Sequence, residues 1–442
     1  MNVVDIITKT KNAENLNRDE IAYMVNGFTE GSIPDYQMSA FLMAVVLNGM
    51  STENIVAMTE IMRDSGDVMD LSGISGIKVD KHSTGGVGDK TTLIVAPIAA
   101  AAGVPIAKMS GRGLGFTGGT VDKLESIPGF RTSVENEEFI RAVNNIGIAV
   151  IGQTGNLAPA DKKIYALRDV TGTTESLALI TSSIMSKKLA AGSDAIVLDV
   201  KCGTGAFMKT IPEAEELARS MVEIGKASGK KTIAIISDMN QPLGNAVGNA
   251  LEVQEAIDVL KGCGPEDVTE LSINLAGAMI VAGGLAGNAR EETNDAVLKG
   301  KEIAKEMLDS GKALDKFREF VAGQGGDPEI ADNYELMAQP AHSIEVKSPV
   351  KGFVTGVDAL RIGLASQHTG AGREKKEDSV DMSAGIVLKK KIGDSVEKGE
   401  LLFTAYANDK EKLKKGAEEA LAAFEFGKIK ATKPSLIKRV IE

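Results

Sequence analysis

Five short segments rich in β-branched residues alternate with helix-like stretches from about residue 74 onward. This alternation constrains the fold more than any other feature of the sequence. The segments are GIKVD, VPIAKMS, IAVIGQ, AIVLDVK and KTIAIISD. Short apolar strands separated by helices predict a mostly parallel sheet. The sequence therefore predicts the α/β fold class, with a large α/β domain formed by residues 74–158 and 192–335.

The N-terminal part of the chain shows helical periodicity instead. Asn17 is a typical N-cap residue and precedes an apolar stripe with helical spacing. Pro34 opens a helix that is apolar nearly all round, which indicates a buried helix or a subunit contact. A second helical block at 159–191 interrupts the α/β pattern, and we expect it to pack on the first helices. Together, residues 1–66 and 159–191 are predicted to form a small all-helical domain.

The length of 442 residues exceeds what one hydrophobic core usually organises, so two or three domains are expected. The stretches GDVMDLSGISG at 66–76 and TGNLAPAD at 154–161 lie between helical and α/β segments and are predicted hinges. Residues 340–442 contain segments that alternate with a period near two, followed by a helix. They predict a C-terminal β-rich α+β module packed on the large domain.

Composition narrows the classes of partner. The formal net charge of −11 argues against binding to a nucleic-acid backbone or an anionic membrane. Two cysteines make a disulfide scaffold implausible and suit a reducing cytosol. The N-terminus lacks the pattern of a signal peptide, and the longest apolar run is interrupted by proline and glycine. A cytoplasmic globular enzyme without nucleic-acid or membrane partners is therefore expected.

The glycine-rich stretch VDKHSTGGVGDKTT at 79–92 predicts an anion site. We expect a strand ending at Asp80, a turn, and a helix starting near Gly88. A helix N-terminus offers free N–H groups and the positive end of the helix dipole. Lys81 and Ser83 add an ammonium and a hydroxyl group, which bind phosphate well. The stretch does not fit the phosphate-binding loop of NTPases, because the lysine after the last glycine is preceded by an aspartate.

A second glycine-rich stretch, KMSGRGLGFTGGT at 108–120, follows the next predicted strand. It supplies Lys108, Ser110, Arg112 and Thr120. Ligands of α/β proteins bind at the carboxyl ends of parallel strands. Both stretches are therefore predicted to converge on one shared anion site.

A third group of polar residues lies in the helical block. Ser183 and Lys187 are four residues apart in SSIMSKK and so share one helix face, while Arg168 lies on the preceding element. The surrounding residues are apolar, which favours a polar patch that faces a cleft over a solvated helix face. Thr174 and Cys202 lie near these motifs, and we interpret both as packing residues.

Several long motifs of the sequence resemble those of a known family. The motifs KHSTGGVGDKTT, KMSGRGLGFTGGTVDKLESIPGF, YALRDVTGTTES, SSIMSKKLA, LDVKCGTGAFMK, SDMNQPLGNAVGNALEVQEAI and GAGREKKED together resemble the thymidine and pyrimidine-nucleoside phosphorylases. The resemblance covers nearly the whole chain. It implies a homodimer through the helical domain, and a small helical domain and a large α/β domain that close over a cleft.

The resemblance also assigns roles residue by residue. The phosphate ligands that it implies, with help from the loop backbone, are Lys81, His82, Ser83, Thr92, Lys108, Met109, Ser110 and Thr120. The nucleoside contacts that it implies are His82, Lys108, Arg168, Ser183 and Lys187. Of these, His82, Arg168 and Lys187 are the expected catalytic residues. His82 is expected to protonate or hydrogen-bond the base carbonyl, for which its ordinary pKa near 6.5 is suitable.

A monovalent-cation site is also implied, with potassium as the ion. Its expected ligands are Gly88, Thr91, Leu243, Ala246 and Glu255. Inorganic phosphate would be the co-substrate, and no organic cofactor is expected.

The implied reaction is reversible phosphorolysis of uridine, thymidine and deoxyuridine, with phosphate attacking C1′ while the base leaves. Lys108 beside the ribose would tolerate a 2′-hydroxyl group; in the alternative interpretation it only adds charge to the phosphate site. The competing hypotheses are a strict thymidine phosphorylase, a phosphoribosyltransferase of the same superfamily, and a non-catalytic nucleoside-binding regulator on the same fold.

Overall fold

All five predicted strands of the α/β part form in the computed structural model. It describes residues 1–113, 118–153, 155–286, 293–373, 375 and 378–442. Four residues of the second glycine-rich stretch, 114–117, and three of the GAGREKKED motif lie outside that description. No helix in the described ranges is long and apolar enough to cross a membrane.

The elements of the first half alternate as the sequence predicted. In chain order they are α1 Val3–Lys11, α2 Arg18–Glu30, α3 Asp35–Asn48, α4 Thr52–Arg63, β1 Val79–Ser83, α5 Thr91–Ala101, β2 Ile106–Ser110, α6 Thr120–Glu125, α7 Asn136–Ile146, β3 Ile148–Gly152, α8 Pro159–Asp169, α9 Leu177–Ala190, β4 Ala195–Cys202, α10 Ile211–Ala227 and β5 Lys231–Asp238.

The remaining elements complete the α/β part and build the C-terminal unit. They are β6 Ala246–Val247, α11 Asn249–Leu260, α12 Glu266–Ala282, α13 Thr293–Asp309, α14 Lys312–Gly323, β7 His342–Lys347, β8 Gly352–Val357, α15 Ala359–Ser366, β9 Gly385–Leu388, β10 Ser395–Val396, β11 Leu401–Ala407, α16 Lys410–Leu421, β12 Phe424–Gly427 and β13 Ile437–Ile441.

The central sheet is mostly parallel, with strand order β1-β4-β5-β13. The pairs β1–β4 and β4–β5 are parallel, whereas β13 adds an antiparallel edge. Strands β2 and β3 form a second parallel pair, which lies beside β1 through a bond from the Val79 N–H to the Pro105 carbonyl. The carboxyl ends of β1 and β2 therefore meet at one edge, as the two glycine-rich stretches required.

Two boundaries of the first glycine-rich stretch differ from the prediction. Strand β1 continues to Ser83 rather than ending at Asp80, because His82 and Ser83 still pair with β4. The following helix begins at Thr91 rather than near Gly88. Lys81 and His82 consequently have fixed strand geometry, and the turn lies three residues further along the chain than expected without being shorter.

The helical block returns to the N-terminal helices as expected. Helices α8 and α9 pack on α2 and α4. Asn17 caps α2 through a capping box with Glu20 and precedes a buried apolar stripe. Helix α3 buries one side, yet its opposite side leaves the large apolar residues Tyr36, Met43 and Leu47 exposed.

The C-terminal part consists of two small antiparallel sheets with helices α15 and α16. It is joined to the α/β part by strand pairing and by ion pairs, among other contacts. Strand β6 pairs with β9, β13 pairs with β5, and Arg373 forms an ion pair with Asp122 at 3.0 Å. The last strand thus completes the central sheet rather than remaining within the module.

Candidate active site

One cavity of about 620 Å³ brings the predicted residues together. The glycine-rich stretches form one wall, and α8 and α9 form the other. The predicted phosphate and nucleoside residues that line it are Lys81, His82, Ser83, Thr92, Lys108, Met109, Ser110, Thr120, Arg168, Ser183 and Lys187. The cavity therefore contains every one of those predicted residues, contributed by two structurally different parts of the chain.

Lys81 occupies the buried end of the first stretch. Its ammonium donates to the Thr91 hydroxyl group and lies 3.8 Å from both Asp89 and Asp199. Burial lowers the pKa of Lys81, and the two carboxylates oppose that shift. Burial alone would raise the pKa of Asp89, but Lys81 and Lys201 outweigh it and hold that pKa well below its usual range. Lys81 thus contributes a compensated positive charge to the wall.

Asp80 organises a second group of charges at the junction of the two walls. Its Oδ1 accepts from Lys108 on β2 at 3.1 Å, and its Oδ2 accepts from Lys188 on α9 at 2.8 Å. All three side chains are buried. Burial opposes ionisation of Asp80, yet the two ammonium groups lower its pKa to about 2. Burial also lowers the pKa of Lys108 to about 8, although Asp80 acts in the other direction.

His82 lies half-buried on the same strand, next to these ammonium groups. Burial, reinforced by the charges of Lys188 and Lys108, holds the pKa of His82 well below 6.5. The expectation of an ordinary histidine pKa is therefore wrong for this structure. The imidazole is neutral near pH 7, so it can donate or accept a hydrogen bond but is not a ready proton source.

Arg168 on α8 is fixed by backbone carbonyl groups. Its guanidinium donates to the carbonyls of Thr173 at 3.0 Å, Thr174 at 2.9 Å and Leu179 at 3.0 Å, and the side chain is buried. Three of the five N–H groups of an arginine are thus used for positioning. Thr174 also lines the cavity. The backbone carbonyl of Thr174 thus orients a predicted catalytic group, whereas the interpretation of its side chain as a packing variant stays a prediction.

Lys187 is oriented by two neighbours on the helical wall. Its ammonium donates to Asp161 Oδ2 at 2.6 Å and to Ser183 Oγ at 3.2 Å. The i, i+4 pair predicted from the sequence therefore exists, with Asp161 on α8 as an additional anionic partner. Tyr165, Ile180 and Ile184 line the same wall with apolar surface. This combination suits a flat, mostly apolar ring with polar edges.

Charged residues of this site that the sequence did not indicate include Asp80, Asp89, Asp161 and Lys188. Asp80 and Lys188 lie directly beside predicted residues, so the motifs contained them without indicating their pairing. Asp161 lies 26 residues before its partner Lys187, and the pairing depends on how α8 packs on α9. Arg112, which was predicted in the second stretch, lies at the rim and pairs with Glu125 and Asp122.

The five residues predicted to bind potassium lie outside the cavity lining, and their arrangement does not fit that ion. The ammonium of Lys90 donates to the carbonyls of Leu243 at 3.0 Å and Ala246 at 2.8 Å, and to the Glu255 carboxylate. The Thr91 hydroxyl group instead donates to Asp89 at 2.6 Å. A side chain of the protein thus already supplies a positive charge to these oxygens, which corrects the potassium prediction.

Comparison with known proteins agrees with this architecture. Residues 4–66 match a family described as "Glycosyl transferase family, helical bundle domain". Residues 75–314 match "Glycosyl transferase family, a/b domain", and residues 353–427 match "Pyrimidine nucleoside phosphorylase C-terminal domain". A solved structure of anthranilate phosphoribosyltransferase from Thermus thermophilus is similar with a TM-score of 0.57 and 20% identity. It covers 72% of this chain and 99% of that chain, and it shows a shared fold alone.

Curated relatives match over the full length. The pyrimidine-nucleoside phosphorylase of Staphylococcus haemolyticus is 53% identical over 443 residues, which cover 100% of both chains. The pyrimidine-nucleoside phosphorylase of Bacillus subtilis is 56% identical over 408 residues, 92% of each chain. With this identity, the matching domains and a cavity lined by all the family-derived substrate residues, the chain belongs to the pyrimidine-nucleoside phosphorylase family.

Proposed function

We propose that this chain catalyses the reversible phosphorolysis of pyrimidine nucleosides, including uridine, thymidine and deoxyuridine. A phosphate oxygen attacks C1′, the N-glycosidic bond breaks, and the products are the free base and (deoxy)ribose 1-phosphate. The observation that carries the proposal is the single cavity with glycine-rich, lysine-containing loops on one wall and Arg168, Ser183 and Lys187 on the other. Full-length relatives named pyrimidine-nucleoside phosphorylase support the same reaction.

The two walls divide the chemistry. Lys81, Ser83, Thr92, Ser110 and Thr120 hold phosphate on the loop side. Phosphate is itself the nucleophile, so the protein needs no carboxylate nucleophile. Its task is to align two substrates.

The opposite wall stabilises the leaving base. The departing pyrimidine gains negative charge, which positive groups fixed in a partly apolar wall stabilise strongly. Lys187 and the free N–H groups of Arg168 supply that stabilisation. Neutral His82 hydrogen-bonds a carbonyl oxygen of the base.

Turnover requires the two walls to approach each other. We assign residues 1–66 and 159–191 to the helical domain and residues 74–158 and 192–335 to the large domain, with 340–442 as the C-terminal module. Ala158, a non-glycine residue with φ +44°, directly precedes α8 at one predicted hinge and lines the cavity. Such strained backbone concentrates at sites of motion and function. Closure would assemble the site around both substrates.

Lys108 bears on the choice of sugar. Its ammonium donates to Asp80 and to the carbonyl of Lys81, deep in the phosphate wall. That position supports the interpretation in which Lys108 adds charge to the phosphate site. Broad pyrimidine specificity is supported instead by the names of the relatives, which do not favour a strict thymidine enzyme or a phosphoribosyltransferase.

We also propose a cytoplasmic homodimer that forms through the helical domain. Two free cysteines, Cys202 and Cys263, suit a reducing compartment. Tyr36, Met43 and Leu47 follow one another at helical spacing on the outer side of α3, with 74%, 37% and 75% of their surface exposed. A continuous apolar stripe of this kind is typical of a subunit interface.

Release of free base should depend on inorganic phosphate. Uridine and thymidine are each incubated with the purified protein, with and without phosphate, and free base and pentose 1-phosphate are separated by chromatography. We expect both products from both nucleosides only when phosphate is present. Base release without phosphate would indicate a hydrolase, and release from thymidine alone would contradict the broad specificity.

The kcat/KM for phosphate should decrease in alkaline solution. Since the pKa of Lys108 is about 8, its positive charge decreases above that pH. We expect kcat/KM for phosphate to fall by about tenfold per pH unit well above the pKa. Lys108→Met should lower kcat/KM at neutral pH and remove this alkaline limb. A limb that persists in Lys108→Met would assign it to another group.

Loss of the Lys187 ammonium should slow the chemical step. Lys187→Met keeps the length of the side chain but removes the charge that stabilises the leaving base, so kcat should fall by about 10²–10³-fold. Lys226→Met removes an exposed lysine on α10 and serves as the control. Single-turnover base release measures the step. An unchanged rate in Lys187→Met would remove Lys187 from the catalytic group.

Aspartate residues introduced on the outer side of α3 should dissociate the proposed dimer. We expect sedimentation velocity to give twice the chain mass of 46.4 kDa for the unmodified protein, and the monomer mass for the double variant Met43→Asp with Leu47→Asp. Ile429→Asp, at another residue that is 83% exposed, should remain dimeric. An unmodified protein that sediments as a monomer would contradict the assignment.

A further inference from the structure

Lys90 lies at the N-cap position of α5 with its side chain completely buried. A buried ammonium group is costly unless each of its three N–H groups finds an acceptor and its charge is compensated. Lys90 meets both conditions. It donates to the carbonyls of Leu243 and Ala246, at 3.0 and 2.8 Å, and to Oε2 of Glu255. Three donors therefore face three oxygens, one of which belongs to a carboxylate.

Glu255 is itself fixed in this arrangement. Its Oε1 accepts from the backbone N–H groups of Asn245 at 2.9 Å and Ala246 at 3.1 Å. The carboxylate is thereby held against the second half of the 243–246 segment, with one oxygen directed at Lys90. The polar atoms around the ammonium are already engaged, so the group has a complete coordination shell made of protein oxygens.

The surrounding backbone is closely packed. A Cβ atom on Gly88, which has φ +72°, would lie 2.5 Å from the Leu243 carbonyl oxygen and 3.2 Å from that of Ala246. A Cβ atom on Gly244 would lie 2.9 Å from Nζ of Lys90. The first glycine-rich stretch thus lies directly against the 243–246 segment, and the Lys90 ammonium fills the space between them. The hydrogen bonds of Lys90 thus hold the N-terminus of α5 against the 243–246 segment.

Three of the five ligands expected for potassium, Leu243, Ala246 and Glu255, are the acceptors of Lys90. An ammonium group and a potassium ion carry the same charge and seek the same oxygen atoms. Both cannot occupy one small site, because like charges repel strongly where water is excluded. The residues present therefore do not fit the ion.

We propose that the Lys90 ammonium replaces the monovalent cation, so that this chain holds its phosphate-binding loop in place without potassium. The Lys90 side chain fixes the stretch that carries Lys81 and Ser83, but it does not itself line the cavity. Lys90 is accordingly a positioning residue. The proposal concerns the cation requirement and does not depend on which nucleoside is cleaved.

The test on the unmodified protein is a potassium titration at constant ionic strength, with tetramethylammonium chloride as the balancing salt. We expect Tm and kcat/KM for phosphate to be independent of potassium. A Tm that rises with potassium would overturn the proposal. The Tm readout reports on cation binding even if the proposed activity is absent, so failure of one proposal is distinguishable from failure of the other.

Two variants sharpen the test. Lys90→Ala vacates the oxygen-lined space. In tetramethylammonium chloride we therefore expect a lower Tm and a kcat/KM for phosphate that is reduced by up to about tenfold. Potassium or methylammonium chloride should restore both quantities. Lys90→Met removes the charge but fills the space, so it should be impaired without rescue. If potassium rescues neither variant, the vacated space does not accept a cation. If it rescues both variants equally, potassium acts somewhere other than in this space. Either result would show that the proposal is wrong.

Discussion

The buried arrangement of Asp80 with Lys108 and Lys188 is the interaction on which the site depends, because it joins its three structural components. Asp80 comes from β1, Lys108 from β2 and Lys188 from α9. One carboxylate between two ammonium groups is stable in the interior only when geometry and hydrogen bonds are good, and removing one partner would leave an uncompensated charge. The arrangement thus fixes how the carboxyl ends of β1 and β2 meet α9, the helix that carries Ser183 and Lys187.

The same arrangement determines the protonation state of His82. Two ammonium groups and burial together disfavour a third positive charge, so the imidazole remains neutral. Acid catalysis by a preformed imidazolium is therefore a weak mechanism here. In the proposed mechanism, Arg168 and Lys187 would instead stabilise the leaving base, and their positions are set by carbonyl groups and by Asp161. The proposed mechanism therefore depends on fixed positive charges rather than on a titrating histidine.

The sequence predicted the strands and the convergence of both glycine-rich stretches because parallel strands necessarily align their carboxyl ends. It could not predict that β1 continues through Ser83, since that depends on pairing with β4. It also missed the pairing of Asp161 with Lys187, which follows from the packing of α8 on α9. The sequence also could not show which groups the Lys90 side chain contacts, because its acceptors lie more than 150 residues away along the chain.

Local charge balance explains how an acidic chain holds an anion. The lysines buried behind the phosphate wall are Lys81, Lys108, Lys188 and Lys201, and the aspartates among them are Asp80, Asp89 and Asp199. One positive charge is left without a carboxylate. In the absence of an anion that excess is unfavourable, and burial lowers the pKa of Lys81 and Lys108. A bound phosphate would supply the missing negative charge and raise both pKa values. By linkage, proton binding to these lysines and phosphate binding strengthen each other.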